Sequence, residues 1–215
     1  MYLIVTEDSI DLPPGAEVVL RHQTWSDYQA LLATRQDKAA LKISFDATTQ
    51  AIRIMAPLPE HSNKSDTLSD LVKSLLRHLK QDWDSFDPVT LKRFKQKGLE
   101  ADACFYIQNR AAILGKGRID LEKDPPPDLA LEIDLTSFTK LEDYIAISIP
   151  ELWIYRNQTL NIYLFDGQQY QESLNSSLFP SIPVKELIPV YVERAWNAGS
   201  SVAIREFENI LREQY

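Results

Sequence analysis

The sequence predicts a mixed β-sheet with helices on its faces, a fold in the α/β to α+β range. Three observations predict it. Leu68, Leu71, Val72, Leu75, Leu76 and Leu79 recur at 3- and 4-residue steps, one apolar stripe of a long helix facing a sheet. Several short segments alternate apolar and polar residues, as strands do. One of them, DLALEIDL (residues 128–135), leads into a helical pattern and then into a further strand, the order of a crossover.

Taken along the chain, residues 1–22 read as an N-terminal arm or short strand broken at Pro13-Pro14-Gly15, and residues 23–215 as one domain. HQTWSDYQALLAT (22–34) reads as a short helix with Ser26 as its N-cap. Leu41, Ile43 and Phe45, then Ile52 and Ile54, alternate on either side of the turn DATTQ and make a hairpin. The long helix follows MAPLPEHS and carries Lys73, Arg77 and Lys80 on its outer face. VTLKRF (89–94) and DACFYI (102–107) read as strands, separated from DLALEIDL by a loop rich in glycine and charge. Ser137 is placed to cap a helix containing Leu141, Ile145 and Ile149 that Pro150 ends. ELWIYR and LNIYLF form a hairpin, and from about Val184 two helical pieces meet at Asn197-Ala198-Gly199.

Composition narrows the function classes. The content of 44% hydrophobic and 25% charged residues is that of a chain able to bury a core. No apolar run approaches the roughly 18 residues of a membrane span. MYLIVTEDSI lacks the basic start of a signal peptide. A single cysteine, Cys104 in the apolar run ACFYI, excludes an internal disulfide and fits a cytoplasmic protein. A net charge of −8 disfavours binding nucleic acid by bulk electrostatics, though not an enzyme with a local basic rim. LKRFKQKG (Lys92, Arg93, Lys95, Lys97) and LGKGRI (Lys116, Arg118) are the most basic stretches. No GxSxG elbow and no Cys/His pair suggests acyl transfer.

Within DLALEIDL, Leu129, Leu131, Ile133 and Leu135 share one face, while Asp128, Ala130, Glu132 and Asp134 share the other. A crossover strand is covered on both faces, so acids there are costly unless paired, metal-bound or open to a cleft. Glu100 and Asp102 precede ACFYI; were that strand the neighbour, Asp102 and Glu132 would converge. Two carboxylates with carbonyls and waters suit Mg²⁺ or Mn²⁺, the ions of phosphodiester hydrolysis. A solvated acidic face is the other reading. Lys140, near the start of the next helix, sits against the helix dipole and is available to position water or stabilise developing charge.

MAPLPEHS, GLEADACFYIQN, PPPDLALEIDLTS, the K-x-x-x-Y of Lys140 and Tyr144, and IPELWIYR occur in that order. Together they resemble the Uma-type putative restriction endonuclease family of the PD-(D/E)XK nuclease superfamily. The resemblance implies a restriction-endonuclease-like core and a metal-dependent endonuclease acting on DNA, with Mg²⁺ or Mn²⁺ as cofactor. It implies Asp102 and Glu132 as metal-holding catalytic acids and Lys140 as the catalytic lysine moved to the following helix. Asp134, Glu60, His61 and Tyr144 are the auxiliary candidates, Asp134 standing where the usual lysine would be. Ser62 departs from the EHE that relatives tend to carry, with Glu60 or Asp66 as substitutes. A nuclease fold that no longer cuts and serves as a binding module is the alternative. Val192, Trp196, Phe207 and Leu211, at helical spacing, suit either a homodimer or packing on the sheet.

Overall fold

In the computed structural model, which describes residues 12–35, 41–136 and 138–215, the chain forms two sheets. The first has five antiparallel strands in the order β1 (Glu17–Arg21), β3 (Ala51–Met55), β2 (Lys42–Asp46), β6 (Lys97–Ala101), β5 (Val89–Arg93). The second has six, in the order β11 (Tyr170–Ser173), β10 (Thr159–Phe165), β9 (Glu151–Arg156), β8 (Leu129–Asp134), β7 (Ala103–Tyr106), β4 (Asp84–Phe86). This second sheet is mixed: β8 and β9 run parallel and its other pairs antiparallel. The mixed sheet expected from the sequence is this one, and the antiparallel sheet is an addition to it. β6 and β7 are nearly continuous. Only Asp102 lies between them, at the corner where the chain leaves one sheet for the other.

Among the described residues, the three larger of four apolar clusters hold these parts together. Leu129, Leu131 and Ile133 of β8 and Trp153 and Tyr155 of β9 pack against α2 (Pro59–His78), α4 (Val184–Ala198) and α5 (Ser200–Gln214). The predicted stripe of α2 meets them with Leu68, Leu71, Val72, Leu75 and Leu76, all fully buried, so that apolar surface leaves water on that face. On the other face, Ala130, Leu152 and Ile154 lie with Tyr144, Ile147 and Ile149. The third cluster joins α1 (Trp25–Arg35) to the five-stranded sheet through Tyr28 and Leu31. Gly98 of β6 makes this approach possible: a Cβ there would stand 2.4 Å from the Tyr28 ring.

Several local expectations change. The cap of α1 is Thr24, not Ser26. Its hydroxyl accepts the Asp27 N–H at 3.2 Å and the Asp27 carboxylate accepts its N–H at 2.8 Å, a reciprocal capping box. The crossover helix α3 spans only Leu141–Ile145, because Ile147 and Ile149 reach the core from the turn beyond it. Ser137, expected to cap it, lies outside the described residues. Val192, Phe207 and Leu211 are spent on the chain's own core, while Trp196 is exposed. Among the described residues no helix is long and apolar enough to cross a membrane.

Candidate active site

The register of β7 on β8 pairs Ala103 with Leu131, so one step further sets Asp102 opposite Glu132. Both carboxylates are buried. A third element enters from the other sheet. Lys42, on β2, donates from Nζ to Asp102 Oδ1 at 2.9 Å and to Glu132 Oε2 at 3.1 Å. The remaining oxygens have fixed donors: Asp102 Oδ2 accepts the Ile133 N–H at 2.8 Å, and Glu132 Oε1 accepts the Tyr144 hydroxyl. His61 Nε2 lies 3.2 Å from Asp102 Oδ2, close enough for an ion pair when protonated. It is not aligned for a hydrogen bond and is buried with no such partner. Glu100 braces the neighbourhood by accepting the Ile43 N–H and the Thr90 hydroxyl, both at 2.8 Å.

Burial alone would favour the neutral form of each group. For Lys42 the burial cost is outweighed by the charges of Asp102 and Glu132, which hold the ammonium protonated above its ordinary range. Burial likewise works to raise Asp102, but Lys42 and His61 overcome it and keep this carboxyl well below the usual range. Glu132 goes the other way. Burial first, and then the Asp102 charge, outweigh Lys42 and push it up to about 8. The pair therefore behaves as one ionised carboxylate beside one that keeps its proton near neutrality. Burial also raises the Tyr144 hydroxyl, reinforced by Glu132, so it remains a donor.

Two cavities flank this cluster, and Lys42 lines both. One, of about 140 Å³, is bounded by Glu132, Lys140, Tyr144, Ser44 and Glu100. The other, of about 270 Å³, is bounded by His61, Ser62, Asp66, Asp87 and Asp102. The fold thus gathers Asp102, Glu132, His61 and Tyr144 into one cluster and brings exposed Lys140 to the wall of a cavity beside Glu132. Lys140 precedes the first residue of α3 and is not within its first turn. Two other predicted residues are engaged elsewhere. Asp134 accepts from the Arg156 guanidinium, the Thr139 N–H and the Thr139 hydroxyl. Glu60 is 3.1 Å from Lys64, which also meets Glu193.

Lys42 is the residue that reading the sequence missed. Its one signal is a charge on β2 between the alternating apolar residues Leu41 and Ile43, which by itself reads as solvated. Of the basic stretches, Lys97 is buried between Asp46 and Asp143, and Arg93 donates to the carbonyls of Ala146 and Leu121. Exposed Lys92, Lys116 and Arg118 line a separate groove.

The sequence profile of the Uma2 family, described as putative restriction endonucleases, matches residues 25–197, a span that includes Lys42, Asp102 and Glu132. The chain belongs to this family. The Uma2 chain is also similar in fold to a crystal structure of a putative nuclease belonging to DUF820 from Anabaena variabilis. The two share 12% identity and a TM-score of 0.55, over 79% of this chain and 98% of that one. The restriction-endonuclease-like core expected from the sequence is therefore its fold. No curated protein matches the chain.

Proposed function

We propose that this Uma2 protein is a divalent-metal-dependent endonuclease that hydrolyses DNA phosphodiester bonds, with Asp102 and Glu132 as the metal-holding pair. The observation that carries this reading is the convergence of two buried carboxylate oxygens on one cation position beside a cavity. Among the described residues no group of three or more His, Cys, Asp or Glu side chains is disposed to hold a metal. Two carboxylates nevertheless suit Mg²⁺ or Mn²⁺, which keep waters and take the rest of their shell from substrate phosphate. The buried His61 Nε2, 3.2 Å from Asp102 and without a hydrogen bond, adds a polar atom beside the pair. When bound, such an ion polarises the phosphate and acidifies a water. The chain's own residues then have distinct tasks. Tyr144 fixes the Glu132 carboxylate, the Ile133 N–H fixes Asp102, and Lys140 meets the phosphate from the cavity wall.

A second reading, a nuclease-fold binding module that does not cut, draws on one observation. Lys42 already satisfies the two carboxylates, and a site so paired is stable without a metal. Incubating the purified protein with plasmid and single-stranded DNA in Mg²⁺ or Mn²⁺ separates the two. Metal-dependent nicking that disappears in Glu132→Ala and falls in Lys140→Ala supports the nuclease. Binding without nicking in the wild type supports the module.

A further inference from the structure

Each carboxylate of the cluster has one oxygen committed to a fixed donor, Asp102 Oδ2 to the Ile133 N–H and Glu132 Oε1 to the Tyr144 hydroxyl. The oxygens left for a cation are Asp102 Oδ1 and Glu132 Oε2, and Lys42 holds both. An Mg²⁺ bonded to the same two oxygens at about 2.0–2.1 Å stands within about 5 Å of that ammonium. With the carboxylates buried, repulsion between a dication and an ammonium at this range is only weakly screened. The lysine stem is flexible, and Lys42 borders a cavity on each side of the cluster, so the ammonium has somewhere to go.

We infer that Lys42 is a resident cation which a divalent ion displaces: metal and ammonium compete for Asp102 Oδ1 and Glu132 Oε2, and metal binding moves Lys42 into one of the flanking cavities. The inference rests on the metal-site reading above. Until displaced, Lys42 keeps the two carboxyl groups at ligand spacing, which makes it a positioning residue for the site. Its presence also sets the metal affinity, because every ion bound must first break two charge-assisted hydrogen bonds.

Calorimetric titration of Mn²⁺ into the full chain, without DNA, tests this on the wild type, Lys42→Met and Lys42→Arg. Lys42→Met keeps the apolar stem and removes the competitor, so it binds Mn²⁺ at least about tenfold more tightly than the wild type. Lys42→Arg does not. In the wild type, labelling by an amine-acetylating reagent, read by peptide mass spectrometry, rises several-fold at Lys42 when Mn²⁺ is added. That second measurement decides the matter if Lys42→Met fails to fold. Wild type that binds Mn²⁺ beside a Lys42→Met that binds it no tighter overturns the competition while leaving the metal site standing. So does Lys42 labelling that is unchanged or falls with Mn²⁺. Proteins that keep their circular dichroism yet bind no Mn²⁺ in any form remove the metal-site reading, and this inference with it.

Discussion

Glu132 and Asp134 stand two residues apart on one face of β8, both buried, yet their surroundings differ in kind. Asp134 is saturated by four donors, two from the planar Arg156 guanidinium and two from Thr139, in the geometry that fixes a loop. Glu132 meets one hydroxyl and one ammonium on a flexible stem, and it borders a cavity. Burial and a carboxyl group are common to both and so do not mark a site. What separates them is whether an oxygen faces a partner that can be exchanged.

The widest gap between the two is expected in catalysis. Glu132→Gln lowers metal-dependent nicking by about 1,000-fold or more, whereas Asp134→Asn keeps it within about tenfold per folded molecule. Equal losses in plasmid assays would erase the distinction. Stability reverses the order. Arg156→Ala strands a buried Asp134 and costs about 3 kcal/mol in urea denaturation, with nicking by the folded fraction unchanged. Tyr144→Phe has a smaller effect, about 1–2 kcal/mol, because Glu132 Oε1 loses its donor while Lys42 stays. A loss near zero would mean that Glu132 turns to another partner.

Glu132 is also set apart by a pH gradient. Glu132 keeps its proton up to about 8 against an ordinary 4.5, so the folded chain holds more protons than the unfolded one across that window. Stability therefore falls as pH rises from about 4.5 through 8 and levels off above. Asp102, held low, is ionised throughout that range and adds no slope there. Denaturation midpoints of Glu132→Gln measured from pH 5 to 8.5 should decline less steeply than those of the wild type. Parallel curves would assign the buried proton to another group.

What the sequence made legible follows period and polarity. The alternation of DLALEIDL placed its apolar face on the helices and Glu132 on the other side, and the convergence with Asp102 followed from strand adjacency. β6 is not legible in the sequence because KGLEA has no alternation; its place is set by pairing with β2 on one side and β5 on the other. β11, YQES, is a polar edge strand with the same difficulty. α3 is shorter than the apolar spacing suggests, because Ile149 continues a spacing that a turn satisfies equally well. Lys42 and Arg156 were illegible for a different reason. Their roles depend on partners 60, 90 and 22 residues away, and no local pattern encodes which cation meets which acid.

Asp102 occupies the bend between the two sheets, Lys42 is anchored in one of them and Glu132 in the other. The angle between the sheets is thereby converted into the separation of three ionisable groups. A change in packing at the seam, made far from any carboxylate, would be felt at the cluster as a change in gap width. The site is tuned by the architecture as a vice is tuned by its screw.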